Sequence, residues 1–146
     1  MIIRQMEPLD VKAIAKLEIE CFSDPWSENS IASELNNRLS YWLVAEVNGK
    51  IVGYIGSQSV LDAADVMNLA VAPKFRRQGI GERLVNTLVS HLQQKGIAFL
   101  LLEVRASNES AISLYQQLGF VQVGRRPGYY HHPREDALIM RKELTI

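Results

Sequence analysis

Three places along the chain combine residue types and spacings that can do chemistry. Arg76-Arg77-Gln78-Gly79-Ile80-Gly81 stands where a β-branched run gives way to a helical period. Glycines there let the backbone come close to a ligand. The first amides of a helix lack intrahelical acceptors and carry the positive end of its dipole, so they bind an anion without any dedicated side chain. Lys74, Arg76 and Arg77 add positive charge nearby. The triphosphate-binding P-loop pattern is absent, and the dinucleotide pattern G-x-G-x-x-G fails because Leu84 takes its third glycine position. What remains is R-x-x-G-x-G, which also suits a plain strand-to-helix turn in which glycine relieves strain.

The second place is Glu103, which follows Phe99-Leu100-Leu101-Leu102 and precedes Val104. Charged residues seldom sit in so apolar a strand without a partner. A carboxylate there is either a general base, made more basic by desolvation, or a structural partner for Arg105 or another basic group. The third is Tyr115, in helical step with Ala111 and Gly119. By itself it reads as a packing residue whose hydroxyl needs a partner.

Positioning these residues requires a sheet with helices on it. Residues 2–6 read as a strand, and Pro8 and Asp10 open a helix with Val11, Ile14, Leu17 and Cys21 three or four apart. Pro25 ends it, and Ser27 caps a short second helix carrying Ile31 and Leu35. Residues 41–47 and 50–59 form a hairpin around Asn48-Gly49, and 65–72 form a further strand ending at Pro73. Ile80, Leu84, Leu88 and Leu92 then mark an amphipathic helix closed by Gly96. Residues 97–104 are nearly unbroken in apolar character and are expected to be buried on both faces. Ser107-Asn108 begins a helix with Ala111, Ile112, Tyr115 and Leu118 inward, ending at Gly119. Strands at 120–126 and 136–143 flank a loop rich in Gly, Tyr, His and Pro. The order β-α-α-β-β-β-α-β-α-β-β predicts one mixed α/β domain over residues 1–146, an antiparallel meander followed by a helix crossover into a central strand.

Sixteen basic residues balance sixteen acidic ones, which argues against general electrostatic binding to nucleic acid or anionic lipid. Cys21 is the single cysteine, so no internal disulfide and no cysteine-based zinc site is expected. His131 and His132 lack a third ligand in the sequence nearby and read as solvated loop residues, not as a metal site. No apolar run approaches a membrane span, and Met1–Gln5 does not read as a signal peptide, so a cytoplasmic protein is expected.

The two glycine-bearing blocks together resemble the GNAT superfamily of acetyltransferases. Arg76, Gly79 and Gly81 match its R-x-x-G-x-G/A motif, and Asn108, Ala111, Tyr115, Gly119 and Phe120 match its second signature. The resemblance implies a mostly antiparallel sheet flanked by helices, with acetyl-coenzyme A as co-substrate. It implies that Arg76, Arg77, Gln78, Gly79, Ile80, Gly81 and Glu82 cradle the pyrophosphate. The strand around Leu69, Ala70 and Val71 would splay to admit the pantetheine arm and lend a backbone amide to the oxyanion. Glu103 becomes the base and Tyr115 the acid toward the leaving thiolate. Asn108 would contact the cofactor, although as a helix N-cap it already has an ordinary role.

Within the superfamily, Pro25-Trp26-Ser27, Leu102–Arg105 and Arg126-Pro127-Gly128-Tyr129-Tyr130 resemble enzymes that acetylate a ribosomal protein on its N-terminal alanine. That likeness implies a protein N-terminus as acceptor, specifically that of small-subunit ribosomal protein eighteen. Trp26, Tyr129 and Tyr130 would wall its groove, or Trp26 pins the first helix to the sheet. A small-molecule amine or a lysine as acceptor, and a non-catalytic coenzyme A-binding subunit, are the alternatives. A monomer is compatible with all of these.

Overall fold

Asn48 and Gly49 both adopt left-handed backbone, at φ 50° and 79°, a turn whose twist matches the strands it joins. Those strands are β2 (Ser40–Val47) and β3 (Lys50–Val60) in the computed structural model, which describes residues 1–144. β4 (Ala63–Val71) continues the meander, and β1 (Ile2–Gln5) pairs with the outer edge of β2. β5 (Phe99–Arg105), β6 (Val121–Tyr130) and β7 (Glu135–Glu143) complete a sheet of order β1-β2-β3-β4-β5-β7-β6. Every neighbouring pair is antiparallel except β4 with β5, which are parallel because a helix crossover joins them.

The helices divide between the two faces. α1 (Val11–Cys21) and α2 (Glu28–Glu34) cover one with Val11, Ile14, Leu17 and Ile31, against Trp42, Val44 and Tyr54 of the sheet. Ser27 caps α2 as its type predicts, its hydroxyl accepting from the Ser30 N–H at 3.1 Å. α3 (Ile80–Gln94) and α4 (Glu109–Gln117) cover the other face, where Ile80, Leu84, Leu88 and Leu92 are buried with Leu100 and Leu102. Among the described residues no helix is long and apolar enough to cross a membrane.

Element order matches the sequence reading, and two local expectations do not hold. β5 is not buried on both faces. Leu100, Leu102 and Val104 are buried, whereas Phe99, Leu101 and Glu103 are only half-buried. The reason is coverage: α1 packs on β3 and β4, and the core beneath α1 and α2 includes no described β5 residue. A strip of β5 is therefore left open. The last strand pair also reaches further than expected, because β6 runs on to Tyr130. Pro127 is tolerated there because β6 is the sheet edge, where a missing N–H breaks no ladder.

Candidate active site

The site begins with an interruption of strand pairing. Ser57 of β3 pairs with Val66 of β4, but Gly56 pairs with Asn68, so Met67 is an extra residue and forms a bulge. On its other side β4 pairs with β5 only at Ala63–Phe99, Ala64–Leu100 and Asp65–Leu101. Past the bulge the two strands part, as the splay expectation required. The Ala72 N–H bonds the Val52 carbonyl at 2.8 Å. By antiparallel alternation Ala70 also turns its amide toward β3, while Leu69 and Val71 turn theirs toward the gap. Ala70 packs its methyl into the α1 core, and Leu69 and Val71 lean toward α3.

At the mouth of that gap α3 starts. Its N-cap Gly79 is left-handed at φ 80°, and Arg77 is left-handed at 62°. The first bond into the helix runs from Arg83 N–H to the Gly79 carbonyl at 3.1 Å, leaving the amides of Ile80, Gly81 and Glu82 without a helical acceptor. Among the described residues no side chain caps them. A Cβ built on Gly79 would meet nothing within 4 Å, so the approach is open. These residues fit a pyrophosphate through backbone, with three qualifications to the sequence reading. Ile80 is 4% exposed and belongs to the core, so only its amide can face a ligand. Glu82 and Arg77 are both exposed at the surface. Arg76 folds back, donating from Nε to the Val71 carbonyl at 3.1 Å and resting on Cys21 Sγ at 3.5 Å.

Glu103 lies on the open strip of β5. Its neighbour is Arg126, whose Nε lies 2.9 Å from Oε2. The approach is off the hydrogen-bonding direction, so the contact is ionic and the enclosed Oε2 has no hydrogen-bond donor among the described residues. The side chain is 30% exposed, so the deep desolvation expected for it is not found. Arg105 is not its partner. That guanidinium instead lies 4.5 Å over the ring of Tyr130 and binds Glu135 at 3.3 Å. Tyr115 is 8% exposed. Burial, then the neighbouring Tyr130, push its hydroxyl well above the ordinary tyrosine range. Burial and then the Glu103 charge push Tyr130 up to about 12. Tyr115, Tyr130 and Glu103 are thus electrostatically linked neighbours. Asn108 caps α4, its Oδ1 accepting from the Ala111 N–H at 3.2 Å.

Two loops flank the open strip. Trp26 meets Trp42 edge-on, with ring centroids 5.4 Å apart, so it pins the α1–α2 loop to the core as its packing alternative required. Tyr129 is 48% exposed, and Tyr129 and Tyr130 end β6 where a loop was expected. The next loop is tied across to the first one. His132 Nδ1 lies 3.0 Å from Asp24 Oδ1, and with 76% of its side chain exposed it is the solvated loop residue expected. Arg105 gathers the carbonyls of His131 at 2.9 Å and Pro133 at 3.0 Å, and the Ser23 hydroxyl at 3.5 Å. Sequence reasoning missed Arg105 and Arg126 as organisers, and missed Glu18 and Asn68 altogether. Strand alternation was the available signal for Arg105, two residues beyond Glu103.

β4–β5 pairing that stops at Asp65, near a helix start whose first amides have no helical acceptor, is an arrangement that fits an acyltransferase fed by coenzyme A. The acetyltransferase (GNAT) family model matches residues 11–120, and the chain belongs to that family, whose members use acetyl-coenzyme A as co-substrate. A ribosomal protein bS18-alanine N-acetyltransferase of Escherichia coli (strain K12) is 41% identical, over 99% of this chain and 98% of its own length. A putative enzyme of the same name from Bacillus subtilis (strain 168) is 37% identical over 94% and 92%. The crystal structure of the Escherichia coli ribosomal-protein-S18-alanine N-acetyltransferase superposes with a TM-score of 0.92 at 38% identity, covering 99% of this chain and 94% of that one.

Proposed function

We propose that this chain acetylates the N-terminal alanine of ribosomal protein bS18, in the cytoplasm. One observation carries the reading: 41% identity to an enzyme named for that reaction, over nearly the full length of both chains. Acetyl-coenzyme A supplies the activated thioester and, in its pyrophosphate, the anion that the start of α3 fits.

Arg76 to Glu82 hold the pyrophosphate mainly through their amides, and Asn108 contacts the co-substrate from the start of α4. Leu69, Ala70 and Val71 line the path of the thioester arm, and an amide turned into the gap stabilises the oxyanion. Glu103 takes a proton from the acceptor ammonium, directly or through one water, which frees the lone pair for attack on the carbonyl. Attack forms the C–N bond and a tetrahedral oxyanion. Its collapse breaks the C–S bond, Tyr115 protonates the departing thiolate, and the second proton shed by the nitrogen restores Tyr115. Its high proton affinity suits a donor that must stay protonated until the sulfur leaves. Tyr129 and Tyr130 hold one side of the peptide, with Trp26 on the other.

Mass spectrometry after incubation with acetyl-coenzyme A tests this, using peptides that begin with alanine, serine, methionine or a blocked amine. One acetyl on the free alanine peptide is expected. Equal labelling of free and blocked peptides would refute it by making a lysine the acceptor.

A further inference from the structure

Glu18 is a carboxylate where carboxylates are unfavourable. It sits in the second half of α1, toward the negative end of that helix dipole, and is 1% exposed. Both oxygens are in use. Oε1 accepts the backbone N–H of Trp26 at 2.8 Å, and Oε2 accepts from Asn68 Nδ2 at 2.7 Å. Asn68 in turn accepts the Leu69 N–H on its Oδ1 at 3.2 Å. A carboxylate only accepts, so it dictates which way the Asn68 amide faces: NH2 toward Glu18, oxygen toward Leu69. Asn68 follows the bulged Met67, and Leu69 turns its amide into the gap. One buried group therefore touches both the loop beside the acceptor groove and the strand that faces the thioester.

Burial works against a carboxylate at this position. Burial pushes the Glu18 carboxyl up, and the Trp26 and Asn68 donors only partly pull it back. An acid whose folded pKa is raised makes the fold less stable above that pKa than below it, since the native state binds the extra proton. The charged form is the one this site holds less readily.

We infer that Glu18 is a positioning residue for acetyl transfer, setting the acceptor loop through Trp26 and the bulged strand through Asn68. It touches no substrate. The inference rests on reading the β4–β5 gap as the transfer site. Glu18→Gln keeps the shape, but its single oxygen must serve Trp26 and its NH2 then confronts that of Asn68. Asn68 is driven to flip, and a second donor meets the Leu69 N–H. Adding Asn68→Asp reverses the donor and acceptor between the pair. The carboxylate introduced at position 68 then accepts from the amide introduced at position 18 with one oxygen, and from the Leu69 N–H with the other.

The experiment measures amide hydrogen exchange at Trp26 and Leu69, calorimetric affinity for acetyl-coenzyme A, and steady-state kinetics with an N-terminal alanine peptide. In Glu18→Gln, Leu69 exchange should quicken and kcat should fall about tenfold, with co-substrate Kd within about twofold. In the double variant both should return to within about threefold of wild type. Unchanged Leu69 exchange and kcat in Glu18→Gln would overturn the inference. So would a double variant no better than the single one, since loss of charge alone would then be the cause. The acceptor reading fails separately, if wild type leaves the alanine peptide untouched; kcat is then read on whichever amine from the panel the wild type acetylates.

Discussion

Arg126 stands across the mouth of Glu103, its Nε 2.9 Å from Oε2, and the same guanidinium reaches the ring of Tyr129 at 5.8 Å. The candidate base therefore has a counter-ion drawn from the acceptor side of the groove. An arriving ammonium exchanges one cation for another and does not meet a bare carboxylate. Arg126 has a second anion within electrostatic reach in Asp65, whose carboxyl burial otherwise pushes up.

Glu103→Gln should lower kcat about a hundredfold, the usual scale for removing a general base, while acetyl-coenzyme A affinity stays within about twofold. Arg126→Met should keep at least about a third of kcat, because it removes a competitor for the carboxylate and no proton acceptor. Single-turnover rates for both variants check this. Equal losses would place Arg126 in the proton path and remove the distinction drawn between them.

The two glycines of the phosphate turn should behave differently. Gly79 is left-handed, so an alanine there is strained by about 1 kcal/mol and shifts the amides it precedes. At Gly81 a Cβ would meet Leu114 at an ordinary 3.5 Å. Gly79→Ala should weaken acetyl-coenzyme A binding about tenfold or more, while Gly81→Ala binds nearly as well as wild type. Calorimetric titration of both separates a backbone cradle from a turn that merely needs small residues, which would respond alike at both sites.

The glycine turn at the start of α3 and the cap at Asn108 were legible because they are local: a few consecutive residues specify each. Glu103 was legible as an oddity in an apolar strand, but its surroundings were not. Which side of β5 stays open depends on where α1 and α2 end, and Arg126 arrives from a strand edge. Glu18 was invisible for the same reason. It extends the Ile14 and Leu17 stripe of α1, where an acid reads as a solvated edge, and only Asn68, fifty positions along the chain, reveals its use. Pro127 and Gly128 suggested a loop because local turn chemistry outweighs, in sequence, the edge strand that tolerates them.

Gly56 should be among the most sensitive positions for both stability and acceptor binding. A Cβ there would collide with the indole of Trp42, a ring 3% exposed and stacked on Tyr54. Gly56 also pairs with Asn68 at the bulge. Gly56→Ala should cost about 1–3 kcal/mol by urea denaturation, the range for overpacking a core. Because Trp42 carries Trp26, the surviving enzyme should show a raised peptide KM with acetyl-coenzyme A affinity preserved. An unshifted urea midpoint would mean that Trp42 can move aside freely.

Alkaline stability tests the surroundings of Tyr130. Its hydroxyl keeps its proton up to about 12 in the folded chain, against about 10 for a tyrosine in an unfolded one. Between those values the unfolded chain has released a proton that the native chain still holds. The unfolded state binds fewer protons, so stability falls as pH rises, by at most about 1.4 kcal/mol per pH unit from this residue. Below about pH 10 both states are protonated and Tyr130 contributes no slope. Tyr115 is raised as well and acts in the same direction, so only a comparison isolates Tyr130. Urea denaturation of wild type and Tyr130→Phe from about pH 9 to about pH 11.5 should give a shallower decline for the phenylalanine variant. Parallel declines would mean that Tyr130 titrates as it does in the unfolded chain. Burial and the nearby Glu103 charge would then not be holding its proton.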